Sequence, residues 1–208
     1  MKIAFYVSGN ATRVKNIIKR DNVQINKSIV FVVTDEENED LKQILYENNI
    51  CYILANENEL KRVELNFSDY MYYNLSQMDI DYLFVFGKKL LKGLVLKKYK
   101  NRMINFHPSI LPLYPGFNAI DRALKDGMQI LGNTAHFIDE SIDGGPIIMQ
   151  NIVSNQIYID EGYEGVLKSQ EDMFFKIYNM LEKQEIYIEN NKVKIKNAKY
   201  KKSFFIPE

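Results

Sequence analysis

KIAFYVSGNATRVKNIIKR, residues 2–20, sets out the plan of the chain. Lys2–Val7 is a short apolar run of the kind buried in a sheet. Ser8–Thr12 is small and polar, a turn. From about Arg13 to Arg20 the apolar residues fall at Val14, Ile17 and Ile18, the spacing of one helix face. The unit then recurs. SIVFVVT (28–34) is a second, β-branched strand, and DEENEDLKQILYENN (35–49) opens with acidic residues that suit a helix N-terminus. ICYILA (50–55) is a third, short strand, and a helix containing Val63–Leu75 comes next. YLFVFG (82–87) and RMINFH (102–107) are the fourth and fifth strands. Strand and helix in alternation imply parallel pairing through right-handed crossovers. The expected class is α/β: a Rossmann-like, mostly parallel twisted sheet flanked by helices.

After His107 the pattern changes. Pro108, Pro112, Pro115 and Pro146 fall in a glycine-rich stretch, so the C-terminal half is expected to be loop-rich. NTAHFID (133–139) and PIIMQNIV (146–153) read as two later strands, and a long helix is expected from about Tyr163 to Glu182. EIYIENNKVKI (185–195) reads as a hairpin around Asn190-Asn191. With no internal repeat and no low-complexity linker, residues 1–208 are expected to form one domain.

Composition narrows the function classes. Lys and Arg number 27 and so do Asp and Glu, which weighs against a nucleic-acid partner, where a basic face supplies the affinity. The Lys-rich tail from Lys192 to Lys202 reads as a solvated segment. No apolar window reaches the length of a membrane span, and the N-terminus lacks the core of a signal peptide. Cys51 is the sole cysteine, so neither an intrachain disulfide nor a cysteine zinc cluster is expected, and a cytoplasmic setting fits.

The chemistry concentrates where the fifth strand ends. Asn105 and His107 are two apart, so strand alternation projects both side chains from one face. Pro108 biases His107 toward an extended backbone, and Pro112 and Pro115 stiffen the loop beyond it. An amide NH2 beside an imidazole suits a reaction in which a carbonyl oxygen becomes negative. Asp143, just before Gly144-Gly145 and Pro146, could orient the histidine and raise its basicity. Blander readings stand beside these. His107 could be a half-buried structural residue, Asp143-Gly144 a plain turn, and His136 a packed, hydrogen-bonded residue of an interior strand. SGNAT has two open readings: an anion cradle entering a helix, or Ser8, Asn10 and Thr12 as helix caps. It carries neither the dinucleotide nor the P-loop glycine fingerprint.

INFHPSILPLYPG (104–116), followed by GNTAHFIDESIDGGPIIMQ (132–150), resembles the folate-dependent formyltransferases, above all their phosphoribosylglycinamide branch in purine synthesis. The resemblance runs from Lys2 to about Ile177 and is densest from Leu83 to Gln150. It implies transfer of a formyl group from 10-formyltetrahydrofolate to an amine, glycinamide ribonucleotide first, without a metal. By resemblance the catalytic residues are Asn105, a protonated His107 and Asp143. Folate would lie over Lys89, Leu90 and Leu91, with Ile138, Asp139, Glu140 and Asp143 around its polar edge. The acceptor phosphate would fall on Asn10, Ala11, Thr12 and Arg13, with Pro108 and Glu171 also on the acceptor side. The half at about 1–100 would then bind phosphate, and the half at about 101–208 would bind folate and catalyse. Partners are expected to be small molecules, with no nucleic acid and no membrane, on a monomer or homodimer.

The chain departs from the purine branch at Ala11, Arg13 and Lys88-Lys89. Ala11 stands where a second glycine is usual, and alanine tolerates positive φ poorly, so a cradle of different shape is expected. These departures bring in a second acceptor class, such as a nucleotide-linked amino sugar. Pro115-Gly116, where sugar enzymes usually have Arg-Gly, weighs against it. Deformylases and methionyl-tRNA formylating enzymes carry extra domains that the 208 residues are not expected to accommodate.

Overall fold

The computed structural model describes residues 1–20 and 22–199. It divides into two compact units, Met1–Asn105 and a second that opens at Phe106.

The first unit is built of repeated strand–helix steps: β1 (Ile3–Val7), α1 (Thr12–Lys19), α2 (Val23–Ser28), β2 (Ile29–Thr34), α3 (Glu39–Glu47) and β3 (Cys51–Leu54). Then come α4 (Glu57–Arg62), α5 (Phe67–Gln77), β4 (Tyr82–Phe86), α6 (Leu94–Lys98) and β5 (Met103–His107), whose last two residues belong to the second unit. The strands lie in the order β3-β2-β1-β4-β5, and the pairs β1–β2, β1–β4, β2–β3 and β4–β5 are all parallel. The expected α/β, mostly parallel class therefore stands. All of β1 is buried, as its unbroken apolar run requires. Phe5 and Phe84 face each other on adjacent strands with ring centroids 5.8 Å apart. Because β1 pairs with β2 on one side and β4 on the other, the chain reverses its direction of winding there. Crevices for ligands open beyond the carboxyl ends of such strands.

Four helices start the same way. Asn22, Asn38, Asn56 and Asn66 each accept the backbone N–H three residues on, satisfying a donor that the helix cannot. One expectation is corrected here. No helix runs through Val63–Leu75: α4 ends at Arg62, Glu64 is left-handed at φ 55°, and α5 restarts behind the Asn66 cap.

The second unit contains α7 (Ala119–Lys125), β6 (Ile130–Phe137), β7 (Ile147–Ser154), α8 (Gln156–Glu182), β8 (Ile186–Glu189) and β9 (Lys192–Ile195). β6 and β7 pair antiparallel, with a register shift between Ala135 and His136. Ile120, Ala123, Leu131 and Val166 form a buried cluster between these elements. A preceding helical stretch from Gln156 breaks at Gly162, φ 65° and ψ −153°, and the expected long helix runs on from about Tyr163 to Glu182. β8 and β9 make the expected hairpin, with Asn190 and Asn191 both left-handed. Lys192 and Lys194 are therefore hairpin residues rather than tail, and both are exposed. Lys201 and Lys202 lie outside the described residues. Among the described residues no helix is long and apolar enough to cross a membrane.

Candidate active site

His107 ends β5 and is buried, with its imidazole held at both nitrogens. Nδ1 lies 3.2 Å from Asp143 Oδ2, and Nε2 lies 2.8 Å from the Tyr114 carbonyl. The same Asp143 oxygen accepts the Gly116 N–H at 2.7 Å. Asp143 Oδ1 lies 3.5 Å from His136 Nε2, while His136 Nδ1 lies 3.0 Å from the Phe137 carbonyl. Both histidines of the chain thus flank one carboxylate. The backbone is bent to allow this. Asp143 is left-handed at φ 53°, and a Cβ on Gly145 would stand 1.9 Å from the Phe137 carbonyl oxygen, so only glycine fits.

The loop after His107 is pinned from the sheet. Thr134 Oγ1 donates to the Ser109 carbonyl at 2.7 Å and accepts the Leu111 N–H at 3.0 Å. Gln150 donates to the Leu111 carbonyl at 2.8 Å. Ser109 donates to the Leu113 carbonyl at 2.6 Å. Leu111-Pro112 is cis. These bonds hold the turn that presents Tyr114 and Gly116 to the two sides of the His107–Asp143 pair.

Electrostatics give the two groups different charges. Burial would raise the Asp143 carboxyl, but hydrogen bonds from His136 and Gly116 and the charges of the two imidazoles outweigh it and hold it at about 2 instead of 3.8. Burial lowers His107 below its ordinary 6.5, with the Tyr114 carbonyl and Asp143 pulling the other way. The resting pair at neutral pH is an ionised Asp143 beside a neutral imidazole, where the resemblance implied a protonated one. Both ring nitrogens nevertheless face acceptors. A neutral ring can satisfy only one of them, and an imidazolium satisfies both. A proton added to the ring against the cost of burial would therefore find an acceptor already in place.

In the first unit, the SGNAT turn is not capped by its side chains. Ala11 is the N-cap of α1, left-handed at φ 51°, with no side-chain hydrogen bond. The capping reading of Ser8, Asn10 and Thr12 is therefore corrected. Ser8 donates instead to Asp35 Oδ2 at 2.9 Å, and Asn10 is exposed. Ala11 takes up the left-handed conformation expected to suit a glycine. The Arg13 guanidinium lies 5.9 Å from the centre of the Phe86 ring.

Residues 1–173 match the family described as Formyl transferase. The chain belongs to the formyl transferase family. Over 153 residues, 72% of this chain and 52% of the relative, it is 31% identical to a formyltetrahydrofolate deformylase of Haemophilus influenzae. Over 65 residues, 31% of this chain and 33% of the relative, it is 40% identical to a phosphoribosylglycinamide formyltransferase of Bacillus subtilis. The chain thus spans about half or less of these curated relatives. Its fold is that of glycinamide ribonucleotide transformylase 1 from Symbiobacterium toebii, with a TM-score of 0.82 at 22% identity over 94% of this chain and 93% of that one.

The other residues that the formyl transferase resemblance singled out fall as follows. Asn105 lies on β5 two positions before His107, and Pro108 follows the strand directly. Lys89 holds its ammonium 5.2 Å from the centre of the Phe67 ring, Leu90 is exposed and Leu91 is buried. Ile138 and Asp139 are half-buried and Glu140 is exposed; Asp139 accepts the Ser141 N–H at 2.9 Å and the Ser141 hydroxyl. Glu171 is buried on α8. His136 is packed and hydrogen-bonded on an interior strand as expected, but its contact with Asp143 was not foreseen, nor were those of Tyr114 and Gly116. The one signal was the scarcity of histidine: with only two in the chain, a second one close before Asp143 deserved pairing with it.

Proposed function

We propose that this chain transfers the formyl group of 10-formyltetrahydrofolate to the amine of a small phosphate-bearing acceptor, glycinamide ribonucleotide first. The observation that carries the reading is the His107 ring, held at Nδ1 by an ionised Asp143 with Nε2 directed at an oxygen. In the reaction the acceptor nitrogen bonds to the formyl carbon. The carbonyl oxygen becomes an oxyanion, received by the Asn105 amide and by His107 Nε2–H released from the Tyr114 carbonyl. The bond from carbon to the folate nitrogen then breaks, and the proton lost by the amine goes to that nitrogen. His107 carries that proton on its way from amine to folate nitrogen, and Asp143 supports the imidazolium in between. Lys89–Leu91 and Ile138–Glu140 take the folate. Asn10–Arg13 take the acceptor phosphate, and Pro108 and Glu171 lie beside the acceptor.

The test is release of tetrahydrofolate followed optically, with and without glycinamide ribonucleotide. Acceptor-dependent release, reduced on the order of 100-fold or more in His107→Ala with folding retained, supports the reading. Folate binding without release on any amine would overturn it. A second reading has one specific support, the identity to a deformylase. Release that proceeds equally without an amine would show water taking the formyl group.

A further inference from the structure

We propose that Tyr6 is a positioning residue for the formyl-donor site, fixing the backbone at Lys88 and Lys89 through a bridge to Asp35. The inference rests on the reading above, in which the Lys89–Leu91 segment supports the folate.

Tyr6 is fully buried on β1, and its ring packs on Phe67 at 4.8 Å between centroids. The chain leaving β4 passes directly over this ring: a Cβ on Gly87 would stand 2.2 Å from Tyr6 Cε1. The size of the ring therefore sets the level at which residues 87–89 run. The hydroxyls close the arrangement. Tyr6 Oη donates to Asp35 Oδ2 at 2.8 Å, and Ser8 Oγ donates to the same oxygen at 2.9 Å. Each hydroxyl has one proton, and both are spent on Asp35. Their lone pairs are free to accept, and they do. Lys89 N–H donates to Tyr6 Oη at 3.0 Å, and Lys88 N–H donates to Ser8 Oγ at 3.0 Å.

Burial pushes the Tyr6 phenol well above its ordinary range, so it keeps its proton at every working pH and the direction of the chain of bonds is fixed. Asp35 Oδ1 is buried and has no hydrogen-bonding partner among the described residues, so Oδ2 alone anchors the carboxylate. One carboxylate at the end of β2 thus ties the exits of β1 and β4 together. The bonds of this network run among Tyr6, Ser8, Asp35 and the backbone of Lys88 and Lys89. Its effect should appear in formyl-donor binding rather than in the chemical step.

Tyr6→Phe keeps the ring under Gly87 and removes only the hydroxyl. Binding of a non-oxidisable 10-formyl-dideazafolate is measured by calorimetry, and turnover at saturating formyl donor alongside it. The expected result is about tenfold weaker binding, with kcat and the acceptor KM within about twofold of the parent. Amide exchange at Lys88 and Lys89, followed without ligand, should quicken in the variant. Unchanged folate binding, or a parallel fall in binding and kcat, overturns the proposal. If the parent protein binds no folate while exchange still quickens in the variant, the formyl-donor reading has failed and this assignment falls with it. If exchange is unchanged, the bridge itself is wrong whatever the folate result.

Discussion

Asp143 shows how much one side chain can be asked to do. Oδ2 takes a backbone N–H and faces His107, while Oδ1 faces His136. His136 therefore helps to decide where Oδ2 sits, and the two ends of its ring can be tested apart. An asparagine amide reaches roughly the Nδ1 position and keeps the contact with the Phe137 carbonyl. A glutamine amide reaches roughly Nε2 and keeps the contact with Asp143. His136→Asn is expected to lower kcat about 10- to 100-fold, the loss of a hydrogen bond to a charged group, while His136→Gln retains most of the activity. Steady-state kinetics with a thermal melt of each variant would check this, and equal losses in both would assign His136 to packing alone. The nearness of His107 to Asp143 was legible as a candidate pairing, because strand alternation and an Asp-Gly-Gly-Pro turn leave marks in the sequence. The contact of His136 with Asp143 was not. It depends on the register shift at Ala135/His136 and on a left-handed Asp143, and neither leaves a periodic trace.

At the scale of elements, strands and long helices could be read and interruptions could not. Val63, Phe67, Met71 and Leu75 recur every fourth residue and look like one helix face, which concealed the break at Glu64 and the new cap at Asn66. The short helices α2, α6 and α7 give too few turns for periodicity to show. Ala11 is the instructive element boundary. A left-handed non-glycine residue costs about 1–2 kcal/mol, and glycine there gives back about 0.5–1 kcal/mol in chain entropy. Ala11→Gly is thus expected to raise stability by about 0.5–1 kcal/mol, read as a higher urea midpoint at unchanged slope. A lower midpoint would mean that the alanine methyl, only 7% of the residue being exposed, is worth more in packing than its backbone costs.

At the scale of the whole molecule, the buried cluster governs how stability follows pH. His107 has a folded pKa below its ordinary 6.5, and Asp143 is held at about 2 against 3.8. In both cases the unfolded chain binds protons at a higher pH than the native one. Stability therefore rises with pH through each window and is lost as pH falls. One loss begins below pH 6.5 as the unfolded histidine charges while the buried one resists. The second runs from about pH 4 down to about pH 2, where Asp143 is at last protonated in the native state; a shift of this size corresponds to about 2 kcal/mol. Urea midpoints taken at pH 7, 5.5, 4 and 3 should therefore decline in two steps. Asp143→Asn is expected to start from a lower midpoint at pH 7 and to lose the second step, while the first remains. An acid limb identical in parent and variant would place the acid sensitivity in the surface carboxylates instead. A net charge of zero makes the contrast readable, because little overall repulsion is present at pH 7 to mask a single buried group.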